Sequence, residues 1–312
     1  MGARKKNKQL GEGFDAVTPG EVTPPLPTFL LSGAPATGKT WAALTFPNCF
    51  LIDCEGGAAQ PEYQKRLDDG GGAYLGIEQG SQDFAGVLQA VKQLATTAHG
   101  FETLVIDSFT QLYTITAAIA EAEVGSDFGR DKKEANKPTR QLLRFLGQMN
   151  LTTIIVCHEK DKWGKNSKGE QSVVDVTFDG YDKLEYCLDL WLRAFRVGSQ
   201  YFVEVKKSRL AGFPLELEPF EMTGEAFQER YGAPISGRFE PIQLATEEQL
   251  GELDHLLDVL QPTEDLVAKW TGIAGVANLS EMTAEQIQKC IEWTRAKAEE
   301  EMTVPAPPVA AT

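Results

Sequence analysis

The sequence predicts an α/β fold in which a mostly parallel sheet lies between helices, followed by a β-hairpin and a small C-terminal helical module. Two observations support this prediction. Short apolar runs alternate with segments of helical periodicity, which is the pattern of parallel strands joined by crossover helices. The last part of the chain then changes to helical periodicity alone and to an acidic composition.

Four strands and four helices follow from the pattern of the first half. Apolar runs predict strands at 28–32, Cys49–Asp53, Thr103–Asp107 and 152–157. Apolar residues at helical spacing predict helices at 39–46, 82–98, Phe109–Val124 and 135–149. We expect the strand Thr103–Asp107 to lie beside the first strand, because it follows a full crossover helix.

The rest of the chain separates into a hairpin, a helical module and tails. Segments 188–197 and 200–207 flank Gly198-Ser199 and predict a β-hairpin. Residues 246–300 are predicted to be helical, with capping boxes at Thr246/Gln249 and Thr283/Gln286. The predicted organisation is a polar, Pro-rich tail at 1–27, a core at 28–243, an acidic helical module at 244–301 and a disordered tail at 302–312.

Composition excludes several classes of protein. No apolar run approaches the roughly 18 residues of a membrane span, and the basic N-terminus lacks the apolar stretch of a secretory signal. The five cysteines and three histidines are far apart, which argues against a disulfide framework or a zinc site. We therefore expect a cytoplasmic protein with no membrane partner.

Charge is distributed unevenly along the chain. The formal net charge is −15, and residues 211–312 hold 19 acidic and 6 basic side chains. Residues 128–168 instead hold 10 basic and 4 acidic side chains. A local anion-binding surface is therefore compatible with the acidic total.

An uninterrupted G-x-x-x-x-G-K-[ST] segment stands between the first predicted strand and the first helix. Glycine allows its backbone N–H groups to point at phosphate oxygens, and the helix adds the positive end of its dipole. Lys39 is expected to reach the β- and γ-phosphates, and Thr40 to ligate Mg²⁺. The alternative, a chance glycine turn, does not require this strand and helix. The segment predicts an ATP and Mg²⁺ site formed by Gly33, Ala34, Pro35, Ala36, Thr37, Gly38, Lys39 and Thr40.

Two carboxylates compete for a further metal-binding role. Asp107 and Asp53 both end predicted strands, each after an apolar residue pair. We assign the metal to Asp107, because its strand is the one expected beside the loop strand. The alternative for Asp107 is a cap for the next helix.

Glu55 is the candidate general base. Hydrolysis needs a carboxylate that orients and deprotonates water opposite the leaving phosphate. Glu55 lies two residues past the second predicted strand, on a loop from which it can reach that point. The alternative is a solvated loop glutamate.

The segments GAPATGKT, FLIDCEGG and TLVIDS together resemble the core of the RecA superfamily, over roughly residues 28–210. The resemblance implies a RecA-like P-loop NTPase core in which Glu55 is the catalytic base. Ser108 favours it, because most AAA+ proteins place an acid directly after the metal-binding aspartate. The resemblance also implies a polar sensor after the fourth strand, which would here be His158 rather than the Gln that is frequent in the family. The alternative for His158 is a hydrogen-bonded loop residue.

Basic residues at the end of the predicted hairpin extend the resemblance. In RecA-type filaments, lysines on a comparable strand reach the ATP of the neighbouring subunit. The match implies a homo-oligomer with nucleotide at the subunit interface, where Lys206, Lys207 and Arg209 supply positive charge to the transition state in trans. The alternative is a solvated basic strand end.

At the subfamily level, the chain is most similar to short phage-encoded RecA-like ATPases, the fourth Sak class of single-strand annealing proteins. The similarity rests on the short spacing from the loop to the second strand, on CHEK after the fourth strand, on a hairpin ending in KKSR and on the acidic helical tail. It implies binding of single-stranded DNA and a role in annealing or homologous recombination.

Two predicted loops, 125–138 and 160–171, carry cations and the aromatic residues Phe128 and Trp163, a combination that suits single-stranded DNA. The alternative is that they are simply solvated. The candidate DNA-binding residues are Arg130, Lys132, Lys133, Trp163, Lys165 and Lys168.

The sequence leaves two other functions open. A P-loop ATPase could act on protein partners in replication or packaging, and the acidic module could bind a single-strand-binding or recombination protein. A small-molecule P-loop kinase would need an acceptor pocket and an Arg-bearing lid, of which the sequence shows no clear sign.

Overall fold

A computed structural model describes residues 24–303, except 166–168, 238, 263–264, 275 and 277. The described strands are β1 (Thr28–Gly33), β2 (Cys49–Asp53), β3 (Ala73–Leu75), β4 (Thr103–Asp107), β5 (Thr152–Lys165), β6 (Gln171–Phe178), β7 (Leu190–Val197) and β8 (Gln200–Ser208). The described α-helices are α1 (Lys39–Ala43), α2 (Pro61–Asp69), α3 (Phe84–Thr96), α4 (Phe109–Val124), α5 (Arg130–Gln148), α6 (Leu184–Cys187), α7 (Gly224–Tyr231), α8 (Glu247–Leu260), α9 (Leu266–Ala274) and α10 (Ala284–Thr303).

The sheet is mostly parallel, which confirms the predicted fold class. Its strand order is β3-β2-β4-β5-β1-β7-β8, with β6 paired to β5. The pairs β1–β5, β1–β7, β2–β3, β2–β4 and β4–β5 are parallel. The predicted hairpin is present as the antiparallel pair β7–β8.

One expectation about the sheet is wrong. The strand β4 does not lie beside β1, because β5 is inserted between them and pairs with both. A strand that is covered on both faces has an apolar run at any position in the sheet. The order of strands along the chain therefore does not reveal the insertion.

Alternate residues of the central strands supply two cores, one on each face of the sheet. Leu30 and Ile106 belong to a cluster that includes residues of α3, α4 and α5. Leu31 and Val105 belong to a second cluster with residues of α1, α2 and α7. Neighbouring side chains of a strand point to opposite faces, so each face of the sheet is buried by its own layer of helices. The ends of the strands are not covered by these two layers and can carry a functional site.

The strand β5 is longer than predicted. It continues past Cys157 to Lys165 and pairs antiparallel with β6, from Glu159↔Phe178 to Lys165↔Gln171. We call these two paired segments, residues 159–165 and 171–178, the β-arm. In its described residues, the expected loop 160–171 is therefore mostly strand. The prediction missed the arm because the end of β5 is polar and because it did not use the β-branched residues of β6, in QSVVDVTF, as a strand signal.

The helix α5 begins earlier than predicted. It starts at Arg130 and continues through Pro138, so the residues Arg130, Lys132 and Lys133 lie on its first turn and not in a loop. Proline removes one helical hydrogen bond, and the polar residues before it have no apolar period, so the pattern predicts a loop there. Burial of Ala135, Leu142 and Phe145 on one side of α5 offsets the cost of the proline.

The C-terminal helices form a third apolar cluster around Leu253, Ile287 and Ile291. Both predicted capping boxes are present, at Thr246/Gln249 and at Thr283/Gln286. The module contacts α3 through the ion pair of Lys92 with Glu281, at 3.0 Å. Helix α10 continues to Thr303, into the segment expected to be disordered.

The predicted tails lie mainly at 1–23 and 304–312, outside the described residues. Among the helices that the structure describes, none is long and apolar enough to span a membrane.

Candidate active site

The glycine-rich loop lies at the carboxyl end of β1, where the adjacent strands β5 and β7 also end their pairing with it. Close packing requires its first glycine, because a Cβ on Gly33 would lie 2.5 Å from the carbonyl oxygen of Ala194. Backbone conformation requires its last glycine, because Gly38 has φ 79°. The loop is thus held against β7 and β8 with its backbone close to any bound group.

The side chain of Lys39 folds back over the loop. Its Nζ donates hydrogen bonds of 2.9 Å to the carbonyl oxygens of Gly33 and Ala34. Burial lowers the pKa of Lys39, and the carboxylates of Asp107, Glu55 and Glu159 offset part of that effect. An anion bound in the loop would stabilise the charged ammonium further, and the first N–H groups of α1 have no intrahelical partner.

Asp107, at the end of β4, meets Thr40 on α1, although β5 lies between β4 and β1 in the sheet. The Thr40 hydroxyl donates a 2.5 Å hydrogen bond to Asp107 Oδ2. Burial raises the pKa of Asp107 to about 6, against the opposing effect of the Thr40 hydrogen bond.

This pair fits a magnesium ion. Hydroxyl and carboxylate oxygens are the ligands that Mg²⁺ prefers, and the ion usually keeps several waters and phosphate oxygens as well. A cation would also offset the cost of a charged Asp107 in a buried position. Within the described residues, no group of three or more His, Cys, Asp or Glu side chains could hold a metal by itself, so phosphate and water would have to complete the shell.

The competing carboxylate, Asp53, is engaged elsewhere. Its oxygens accept hydrogen bonds from the backbone N–H groups of Glu55, Gly56 and Ala58, at 3.1, 2.8 and 2.9 Å. The Tyr74 hydroxyl donates a fourth, at 3.1 Å. Asp53 therefore caps the loop that follows β2, and this is the loop that carries Glu55.

Glu55 lies where the ends of β2, β4 and β5 converge. Its Oε1 accepts a hydrogen bond from the Ser108 hydroxyl and contacts His158 Nε2 at 2.7 Å. The Glu55 side chain is 37% exposed and that of His158 is 42% exposed, so solvent reaches both. A partly open carboxylate that is oriented by two neighbours has the geometry required of a general base.

Ser108 and Arg193 are neighbours of the site. The sequence does not predict the contacts that these two residues make. The sequence distinguishes Ser108 only as a residue that is not an acid. Arg193, on β7, contacts Glu159 through Nε at 2.8 Å and Glu204 through Nη1 at 3.3 Å. The Arg193 position could not be found from sequence, because its partners come from β5 and β8.

The basic residues at the end of β8 lie away from the loop of their own chain. That end of β8 pairs with Leu190 and Trp191, near the amino ends of β7 and β1. Lys207 Nζ donates to the carbonyl oxygen of Leu188, and Arg209 Nη2 donates to that of Tyr186 at 2.7 Å. Lys206 Nζ lies 3.4 Å from Asp175 Oδ1, on the β-arm. Their role in a neighbouring subunit stays a prediction.

The candidate DNA-binding residues occupy two places. Trp163, 65% exposed, and the exposed Lys165 lie on the β-arm. Arg130, Lys132 and Lys133 are exposed on the first turn of α5, next to the fully exposed Phe128. Lys168 lies outside the described residues.

The mostly parallel sheet, the glycine loop with Lys39 and the Thr40–Asp107 pair define the class: this is a P-loop ATPase. A model of the AAA_24 family, described as an AAA domain, matches residues 27–211. The chain belongs to this family, and the match extends from the residue before β1 to just past β8.

The solved structures that match this chain are distant from it in sequence. The KaiC-like protein PH0186 from the hyperthermophilic archaeon Pyrococcus horikoshii OT3 is 17% identical, with a TM-score of 0.41, over 64% of this chain and 88% of that chain. A prototypical ATPase from the type III secretion system of pathogenic bacteria is 12% identical, with a TM-score of 0.37, over 85% and 80%. The ATPase EscN from the type III secretion system of enteropathogenic E. coli is 11% identical, with a TM-score of 0.35, over 88% and 67%. Likenesses this distant do not define activity or assembly. No curated protein matches the chain.

Proposed function

We propose that this chain is a RecA-like ATPase that binds single-stranded DNA and promotes annealing or homologous recombination, encoded by a phage and active in the host cytoplasm. The proposal joins a hydrolytic site, which the contacts of Lys39, Asp107 and Glu55 support, to a DNA-binding surface on the β-arm. Its subfamily is that of the short phage RecA-like ATPases of the fourth Sak class.

Each side chain of the site has one role in the proposed hydrolysis. The Lys39 ammonium exchanges its two carbonyl partners for phosphate oxygens, and the loop N–H groups hold the β-phosphate. Mg²⁺ bound by Thr40 and Asp107 would neutralise charge on the phosphates. Glu55 accepts a proton from the attacking water, while Ser108 and His158 keep its carboxylate oriented.

The continuity of β5 is the observation that carries the DNA part of the proposal. The strand contains both His158, which contacts Glu55, and Trp163, which is exposed on the β-arm. At about 3.3 Å per residue, the two are separated by roughly 17 Å of one strand. Exposed Lys160, Lys162 and Lys165 flank Trp163, which gives the combination of cations and aromatic platform that single strands favour.

The nucleotide is proposed to lie at the interface of a homo-oligomer. Lys206, Lys207 and Arg209 would then approach the phosphates of a neighbouring subunit. The distance of these residues from the loop of their own chain is what supports a role in trans rather than in cis.

A specific observation favours a second candidate function, an ATPase that acts on protein partners. The acidic C-terminal module exposes Ile273 to 72% and Val267 to 37% on α9. Exposed apolar side chains in a module of acidic composition suit a protein partner, such as a single-strand-binding or recombination protein.

The test of the DNA part is direct binding of the full chain to a fluorescently labelled single-stranded oligonucleotide, with duplex of the same sequence as control. We expect tighter binding to the single strand, with an affinity that falls steeply as salt rises. Equal or absent binding of both would support the protein-partner function instead.

A further inference from the structure

A cavity of about 450 Å³ adjoins the phosphate-binding loop. It is bordered by Thr37 and Gly38 of the loop, by Trp41 of α1 and by Tyr201 of β8. Its size lies within the range of small-molecule sites, roughly 300–1,000 Å³.

The order of the strands places this cavity at one end of a continuous path. Glu55, Ser108 and Asp107 lie on the β2, β4 and β5 side of β1, whereas Tyr201 lies on the β7 and β8 side. The glycine loop is between the two. A triphosphate with its terminal phosphate near Glu55 and its chain across the loop would therefore have its other end at the cavity.

Two exposed aromatic rings flank the loop at this end. Trp41 is 43% exposed and Tyr201 is 46% exposed, although large aromatic side chains are usually covered in a single chain. Tyr201 lies directly over Gly38, because a Cβ on that glycine would be 3.1 Å from Tyr201 Cδ1. Any larger residue at position 38 would displace the ring.

The Trp41 ring is held in place from one side. The guanidinium carbon of Arg66 lies 4.2 Å from the centroid of the Trp41 ring, and Tyr63 meets that ring edge-on at 5.7 Å. The wall of the cavity thus contains an aromatic ring that two neighbouring side chains fix in place.

We propose that this cavity binds the base of the nucleotide by stacking on Trp41 and Tyr201, and that the site accepts purine nucleoside triphosphates, ATP and GTP alike. The inference rests on the assignment of the phosphate loop as the nucleotide site. Every base has a π-face, so stacking discriminates by ring area rather than by the pattern of donors and acceptors. Purines therefore bind more tightly than pyrimidines, and ATP and GTP bind with similar affinity.

The test measures equilibrium binding of ATP, GTP, CTP and inorganic tripolyphosphate to the full chain by calorimetry. Base–aromatic stacking corresponds to a factor of roughly ten in affinity, so Trp41→Ala is expected to weaken ATP and GTP binding by about that factor. Tripolyphosphate binding should be unchanged, because it has no base. Trp41→Phe keeps a ring and should restore most of the affinity.

Two further variants test whether the effect of Trp41→Ala is local to the cavity. Tyr201→Ala, which removes the other aromatic ring of the cavity, should also weaken ATP binding if the loss in Trp41→Ala comes from the cavity and not from misfolding. Trp293→Ala removes a similarly exposed tryptophan, 41%, on α10 and should leave ATP binding unchanged.

Wild-type ATP affinity in both Trp41→Ala and Tyr201→Ala would overturn the stacking site, as would equal losses for ATP and tripolyphosphate. A change in oligomeric state without a change in ATP affinity would overturn it too and assign the cavity to a second copy of the chain. If Lys39→Ala also bound ATP normally, the phosphate-loop assignment itself would fail.

Discussion

At the scale of single residues, the site depends on carboxylates that the fold holds in unequal surroundings. Asp53 is fully used as a loop cap by backbone N–H groups. Asp107 is buried beside a single hydroxyl, and Glu55 is half-exposed between Ser108 and His158. All three are candidates from sequence alone. Their contacts show that Asp53 caps a loop, and the metal-ligand role of Asp107 and the base role of Glu55 stay predictions. Their roles in catalysis can be separated by substitution.

The substitution Glu55→Gln is expected to retain ATP binding and to lose hydrolysis, by roughly 10²- to 10⁴-fold, because the amide cannot accept the water proton. Steady-state turnover and ATP affinity should be measured together. Glu62→Gln, on the exposed side of α2, is the matched control and should behave as wild type. Normal turnover of Glu55→Gln would place the base elsewhere.

Asp107 should make the stability of the nucleotide-free chain depend on pH. Its pKa is raised to about 6 in the folded chain, against about 3.9 in an unfolded one. Between these values the folded chain keeps a proton that the unfolded chain has lost, so stability falls as pH rises through that window. The loss is at most about 3 kcal/mol.

The substitution Asp107→Asn removes this titration. In EDTA, the unfolding free energy of the variant relative to wild type should therefore increase between about pH 4 and pH 7. Denaturant unfolding at several pH values measures it, with the exposed Asp68→Asn as control. If the difference in unfolding free energy between variant and wild type did not change with pH, the pKa of Asp107 would not be raised in the folded chain.

At the scale of elements, the strand β5 decides the architecture. It is inserted between β1 and β4, and its extension forms the β-arm. The apolar runs predicted β1, β2, β4 and the start of β5 within one residue, since burial on both faces requires such runs. The polar end of β5 and the start of α5 could not be predicted in the same way, because exposed polar strands and helix ends lack a strong apolar period. The β6 segment QSVVDVTF does carry a β-branched strand signal, which the prediction did not use.

Two substitutions in the β-arm should separate the contribution of aromatic stacking to DNA binding from the contribution of positive charge. Trp163→Ala should weaken binding of single-stranded DNA by about 1–3 kcal/mol without changing its salt dependence. Lys165→Ala should reduce the slope of log affinity against log salt by about 0.7. Fluorescence anisotropy at several salt concentrations gives both quantities.

A lysine far from the arm provides the control for that experiment. Lys65 is exposed on α2 and pairs with Asp69, so Lys65→Ala should leave both the affinity and the slope unchanged. Wild-type DNA binding by both arm variants would remove the β-arm from the DNA-binding surface.

At the scale of the whole molecule, the question is whether one chain completes its own site. The glycine loop and Glu55 lie at the carboxyl ends of the strands, whereas Lys206, Lys207 and Arg209 lie toward the amino ends. The sequence predicted that these residues lie on the hairpin. It could not predict at which end of the sheet they lie relative to the glycine loop, because strand direction and pairing follow only from the fold. A separation of this kind requires a second subunit if the cations act on phosphate.

Mixing two inactive variants tests for such a subunit. Glu55→Gln lacks the base and Lys207→Ala lacks a cation, so a mixed oligomer contains interfaces that combine an intact base with an intact cation. Turnover of the mixture should then exceed the sum of the separate variants. No recovery, in a mixture shown by light scattering to contain oligomers, would contradict action in trans, as would wild-type turnover of Lys207→Ala alone.

Steady-state ATP hydrolysis, with and without single-stranded DNA at a low and a high salt concentration, tests the central claim most directly. The continuity of β5 from His158 to Trp163 predicts that single-stranded DNA stimulates turnover at low salt and that high salt removes the stimulation. Turnover that is the same with and without DNA at both salt concentrations would contradict the claim that this P-loop ATPase acts on single-stranded DNA.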